Sequence, residues 1–285
     1  MQTKLKLTAL AGAVALALGA GQASASIVPS SPSGDSEMVL SVWDAARNTS
    51  YTLDLGFLQG TLTPTGVSSQ SGIISNSGAL VMSFAADALL TQFLADSSAF
   101  GSLGRVLWNV VGGDGTGTLA NTRKVLITAR STVGESTIEL LNGTQMNNML
   151  GAFNGYVSQV NTLAPHMTTD NGSNIEVVGD SLGNDFAYAG GAGWNTSFGG
   201  NGNFNNAGAL GEGLNFWSLS NAGGASGKIS ATQFFGAATA PAIWTLASNG
   251  TLTFAAVPEA ETWALLGLGL LGAGAVARRR SRALA

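Results

Sequence analysis

The chain has 285 residues, 45% of them hydrophobic and 10% charged, with 40 glycines and no cysteine. The formal net charge is −4, but between residues 26 and 256 only six basic residues stand against 14 acidic ones, a balance of −8. This excludes disulfides, cysteine nucleophiles and thiolate metal sites, and an acidic surface disfavours nucleic acid as a partner.

The N-terminus reads MQTKLKLTALAGAVALALGAGQASAS. Lys4 and Lys6 supply a positive start, Leu7 to Ala20 form a short apolar run, and Ala23-Ser24-Ala25 places small residues before a cut at Ser26. Residues 1–25 therefore read as a secretory signal peptide, a removable helix. The exported part, 26–256, is long enough for one good core.

Strand candidates open this exported part. Residues 38–44 (MVLSVWD) and 50–55 (SYTLDL) flank a small polar connection and predict a hairpin. Further β-prone runs are 61–63, 72–75, 79–83, 105–111 and 123–129, then 214–219, 242–247 and 251–255. Asn249-Gly250 lies between the last two and favours a tight turn, since both residues tolerate positive φ. Two segments carry helical periodicity. Residues 84–98 place Phe84, Ala88, Leu89, Phe93 and Leu94 near one face. Residues 144–163 repeat Met146, Met149, Leu150, Phe153, Val157 and Val160 at spacings of three and four, and Pro165 ends the pattern. That stripe reads as core packing. The expected fold is mainly β, a sandwich or jelly-roll-like domain with two helical insertions.

Residues 189–227 hold 12 glycines and seven asparagines, with Trp194, Phe198, Phe204, Phe216 and Trp217 interleaved. The composition predicts long loops between strands that aromatic rings anchor to a core. Were those rings exposed instead, they would offer sugars a stacking surface.

The chain closes on VPEAETWALLGLGLLGAGAVARRRSRALA, residues 257–285. Trp263 to Ala277 is 15 residues without a charge, about 22 Å of helix, against a bilayer core of about 30 Å. A transmembrane helix over about 262–277 is expected, with Trp263, Leu265, Leu266, Leu268, Leu270 and Leu271 in the hydrocarbon. Arg278, Arg279, Arg280 and Arg282 would snorkel to the head groups and stop transfer, keeping the C-terminus cytoplasmic.

Val257-Pro258-Glu259, the Gly/Leu helix and the arginine cluster together resemble a PEP-CTERM sorting signal. A C-terminal domain of this kind also carries the label "ice-binding protein C-terminal"; no residue here points to ice. The resemblance covers the last 29 residues and departs from the Pro-Glu-Pro pattern at Ala260. It implies processing near Val257, Pro258 and Glu259 by exosortase, a membrane-embedded protease of bacteria that make exopolysaccharide. The implied partners are that protease, the inner membrane transiently, and exopolysaccharide. The implied destination is the cell surface or the medium.

Motifs suggestive of chemistry are weak. Gly179-Asp180-Ser181-Leu182-Gly183 fits the G-x-S-x-G nucleophile elbow and resembles the block of GDSL esterases. A serine nucleophile needs a base, and the single histidine, His166, lies upstream of Ser181, whereas those esterases place theirs late in the chain. One histidine is also a poor zinc site. Gly112-Gly113-Asp114-Gly115 and Asp170 to Glu176 offer oxygen ligands for Ca²⁺ but match neither an EF-hand nor a repeated glycine-aspartate array, so they read as polar turns. No cofactor, metal or catalytic residue is expected. The rival readings are a secreted esterase using Ser181 and a carbohydrate-binding module.

Overall fold

The computed structural model describes residues 26–30, 34–63, 66–67, 81–115, 123–163, 166, 169, 171–179, 185–198, 200–221, 224–235 and 241–256. The first half runs β1 (Glu37–Asp44), β2 (Thr49–Leu58), β3 (Leu62–Thr63), β4 (Gly66–Val67), β5 (Val81–Phe84), α1 (Ala88–Phe100), β6 (Leu107–Asp114) and β7 (Lys124–Arg130). The helices α2 (Glu135–Ile138) and α3 (Gly143–Val160) come next, then β8 (Ser173–Val177), β9 (Gly208–Ala209), β10 (Gly213–Ser220), β11 (Ser230–Gln233), β12 (Ala242–Leu246) and β13 (Leu252–Ala256).

Both expected hairpins form. The β1–β2 connection folds back on Asp44, whose side chain accepts the Ala46 N–H at 3.0 Å, and Asn48 takes the left-handed conformation at φ 50°. In the β12–β13 connection only Gly250 has positive φ (83°), so the loop is wider than the two-residue turn the dipeptide suggested. Its Ala247 N–H donates to the Thr251 carbonyl at 2.9 Å. Helix α1 starts four residues later than its periodicity implied because Phe84 ends β5. Helix α3 starts on a reciprocal cap: the Gln145 N–H donates to Asn142 Oδ1 at 2.9 Å, and the Asn142 N–H to Gln145 Oε1 at 3.0 Å.

Eleven strands form one antiparallel sheet in the order β5-β13-β12-β10-β7-β6-β1-β2-β8, with β11 beside β10 and β9 beside β6. The short pair β3–β4 stands apart. A sandwich divides its strands between two sheets; here one curled sheet buries both of its faces. Strand β1 shows how: Met38, Leu40 and Val42 enter one apolar cluster, while Val39 and Trp43 enter the other. Burial on both sides explains why this strand reads as a nearly continuous apolar run.

The outer cluster lies beneath α3. Met146, Met149, Leu150, Phe153, Val157 and Val160, the stripe expected from the sequence, pack with Val111 of β6, Val125 and Ile127 of β7 and Trp217 of β10. Trp194, Phe198 and Phe204 of the Gly/Asn-rich segment are buried in the same cluster. They anchor the loops to the core, so they present no stacking surface. The inner cluster holds Trp108, Phe216, Phe234, Trp244 and Phe254, with the Phe216 and Phe234 centroids 4.6 Å apart and those of Trp244 and Phe254 4.8 Å apart.

Inside the curl the two ends of the strand order approach each other. Phe57 of β2 stacks on Phe84 of β5 at 6.2 Å. Just beyond, Asp87 caps α1 by accepting the Leu90 N–H at 2.7 Å. Its other carboxylate oxygen accepts the Tyr51 hydroxyl at 2.9 Å and the Ser173 hydroxyl at 2.5 Å, joining the β5 end to β2 and β8. Burial first, and then the Asp87 charge, push the Tyr51 phenol far above its ordinary pKa, so it stays a donor.

Replacing Asp87 with Ala removes the cap, a loss of about 0.5–2 kcal/mol, and takes the charged acceptor from the buried Tyr51 hydroxyl, which keeps only Ser173 as a partner, costing up to about 1–3 kcal/mol more. Urea unfolding should show that combined loss for Asp87→Ala. Asp96→Ala, which breaks the solvent-facing Arg47–Asp96 pair (3.4 Å), should change stability by under about 1 kcal/mol. Equal losses for the two variants would contradict the closure role of Asp87.

Candidate functional site

The outer edge of the sheet, where β2 pairs with β8, carries a buried polar seam. Register sets Ser50 opposite Glu176 and Thr52 opposite Asn174. The four side chains share the face toward α3 because β-strand side chains alternate. Tyr156 reaches this seam from α3: its hydroxyl lies 2.5 Å from Thr52 Oγ1 and accepts from the Ser41 hydroxyl at 3.3 Å. Burial pushes the Tyr156 phenol up to about 12; the Ser41 and Thr52 bonds pull the other way and the Glu176 charge adds to the rise. Ser50 Oγ accepts the Ala189 N–H at 3.0 Å, tying the segment after residue 185 to the same seam.

His166 is part of this seam and is fully buried. Its Nε2 is paired with Asn174 Oδ1 at 2.9 Å, and its Nδ1 has no hydrogen-bond partner among the described residues. Desolvation lowers its pKa, with the Asn174 bond opposing, so the neutral imidazole is the folded form. His166 is thus a core group. Of the stretch Asp170 to Glu176, read as a polar turn, Ser173 to Glu176 instead belong to β8, with Asn174 and Glu176 pointing inward. Gly112 to Asp114 end strand β6: a Cβ on Gly112 would collide with Met38 Sδ, and one on Gly113 would sit 2.5 Å from Leu150 Cδ2. Close approach to the core is why glycines stand there.

Above the seam a cavity of about 420 Å³ opens between α3 and residues 186–194. Tyr156 and Gln159 of α3 line one wall, and Phe186, Tyr188 and Trp194 line the other. Trp194 stacks on Tyr156, centroids 4.6 Å apart and planes within 8°, and meets Phe198 edge-on at 4.9 Å. Burial, then the charge of Asp44, raise the Tyr188 pKa. Phe186 is 80% exposed, the most exposed large apolar side chain among the described residues. Sequence reading missed this site because its walls lie some 30 residues apart and neither carries a motif.

Several expected site residues lie outside the described residues. These are Ala23 and Ala25 at the signal cut; Val257, Pro258 and Glu259 of the sorting motif; Trp263, Leu265, Leu266, Leu268, Leu270 and Leu271 of the anchor; and Arg278, Arg279, Arg280 and Arg282. Ser181 also lies outside; of the GDSLG block only Gly179 is described, at φ 84°. Among the described residues no helix is long and apolar enough to cross a membrane, and no group of three or more His, Cys, Asp or Glu side chains is placed to hold a metal ion.

The described body is a mainly-β domain whose last strand, β13, ends at Ala256. Residues 256–280 match the PEP-CTERM protein-sorting motif. The chain therefore carries a PEP-CTERM sorting signal, the mark of an exported protein held as a membrane-anchored precursor and processed by exosortase on its way to the cell surface. No curated protein and no solved structure matches the chain.

The lowered pKa of His166 has a signed consequence for stability. In the unfolded chain the ring gains its proton near pH 6.5; in the fold it does so only at lower pH. The stability of the neutral ring is fully present above pH 6.5 and is lost progressively as pH falls from there toward the folded value. Urea unfolding across pH 7.5 to 5 should therefore show a steeper acid decline for the natural protein than for His166→Gln. Parallel curves would contradict a buried neutral histidine.

Proposed function

We propose that the protein is a non-enzymatic cargo displayed at the cell surface or released into the exopolysaccharide matrix, where it serves as a matrix component or adhesin. The observation that carries this reading is how closely the fold fits between the two processing points. Ile27, the second residue after the expected signal cut, is buried against α3, where its N–H donates to Asn161 Oδ1 at 2.9 Å and its carbonyl accepts from Asn161 Nδ2 at 2.8 Å. Ser30 adds bonds from its N–H and hydroxyl to Asn154 Oδ1 at 2.9 and 2.7 Å. At the other end β13 runs in register between β12 and β5 to Ala256, where the sorting motif begins. Cuts at both points would leave every described strand and helix intact.

In the precursor the helix near 262–277 holds the domain outside the inner membrane and the arginines stay cytoplasmic. The esterase reading finds no support in the lone histidine: His166 is fully buried and its Nε2 is engaged by Asn174, whereas a general base must reach its nucleophile.

Intact-mass analysis of the secreted or surface-extracted protein tests this. A product starting at Ser26 and ending near Pro258 is expected, and Pro258→Ala with Glu259→Ala should leave the longer precursor in the membrane fraction. A mature product retaining Arg278 to Arg282, or normal release of the double variant, would contradict the proposed sorting.

A further inference from the structure

We propose that the cavity between α3 and residues 186–194 is a binding site for an uncharged pyranose unit of a glycan. The inference goes beyond the sorting reading and borrows from it only the compartment in which the ligand is met.

Glycines stand at the cavity wall. Gly155 sits in the interior of α3, where glycine is the poorest helix former after proline. Neither usual reason for a glycine applies. Its φ is not positive, and a Cβ built there would meet nothing within 4 Å. It is exposed and lines the cavity, so a side chain there would stand at the cavity wall. Gly193 on the facing wall is the same: ordinary φ, nothing within 4 Å, and a place in the lining. Two glycines that neither the backbone nor internal packing requires keep opposite walls of one cavity clear.

The chemistry of the lining points to the same ligand class. At about 420 Å³ the cavity falls in the range of small-ligand sites. No Asp, Glu, Lys, Arg or His lines it, so a phosphate or carboxylate would enter without a counter-charge. Phe186 offers an aromatic face at the mouth, 80% exposed, and such a face suits the C–H side of a sugar ring. Tyr188 brings a hydroxyl that can both donate to and accept from ligand hydroxyls. Trp194, 2% exposed and in the lining, has an indole N–H without a hydrogen-bond partner among the described residues. A purely apolar ligand would leave that indole N–H unpaired. The open mouth lets a bound unit continue into a longer chain.

Gly151 is the control. It lies one turn from Gly155 on α3, a Cβ there also meets nothing within 4 Å, and it does not line the cavity. The processed protein, purified from cells that export it, is titrated with cellotetraose, maltotetraose and chitotetraose by calorimetry and saturation-transfer NMR. At least one probe should bind saturably with one-to-one stoichiometry. Gly155→Leu and Phe186→Ala should each weaken it tenfold or more, while Gly151→Leu leaves it unchanged. Both leucine variants should melt no lower than the natural protein, since leucine favours the helix. Absence of saturable binding by all three probes overturns the proposal, as does binding that survives Gly155→Leu. Binding of 1-naphthol in the cavity, with none of the sugars bound, overturns the ligand class. Because the titration uses already processed protein, its failure leaves the sorting reading untouched, and a sorting failure leaves the titration valid.

Discussion

The fold depends on one carboxylate closing a curled sheet. A long antiparallel sheet has two free edges, and twist alone brings them near one another without joining them. Asp87 stands where β5 gives way to α1 and binds the opposite end of the strand order through Tyr51 of β2 and Ser173 of β8. The same residue starts α1. Closure and helix initiation are therefore one event, and the inner aromatic cluster is sealed by it. Breaking it would open the interior at Phe57 and Phe84, whose rings meet across the gap.

The outer face is organised differently. There α3 and the Gly/Asn-rich loops cover the central strands, and buried rings hold the loops in place. Toward the β2–β8 edge apolar packing gives way to the seam of Ser41, Thr52, Tyr156, Asn174 and His166. Buried polar groups need partners, and most here have them. The cavity stands over this transition, between a rigid helix and loops rich in small residues, a setting typical of ligand sites. The domain thus separates a closed, purely structural side from an accessible one.

Where a segment's own pattern decided its structure, the sequence was legible. Buried on both faces, β1 and β7 read as apolar runs, and every residue of the stripe expected on α3 is buried, although the stripe left out the buried Tyr156. The sorting signal was legible for the same reason, since its parts are ordered along the chain. Strand β8 was not. Its buried side chains are Asn174 and Glu176, which make a strand look like a turn unless the partner seam is known. Strand β11 (SATQ) and the one-turn α2 are too short to carry a period. Two expected packed sheets became one curled sheet because closure is made by Asp87, a single polar residue in a connection. The cavity is a product of tertiary proximity, and Phe186 gave no local hint that it would stay outside while Trp194 and Phe198 went in. Strand 72–75 and the GDSLG serine fall outside the described residues.

The most direct test of this account is a double-mutant cycle between Asp87 and Tyr51, using Asp87→Ala, Tyr51→Phe and the double variant in urea unfolding. If the carboxylate and the phenol close the sheet together, the two single losses will sum to about 1–3 kcal/mol more than the double loss, as expected for a buried hydrogen bond to a charged group. Additive losses, within about 0.5 kcal/mol, would mean that the two ends of the sheet are held by something else.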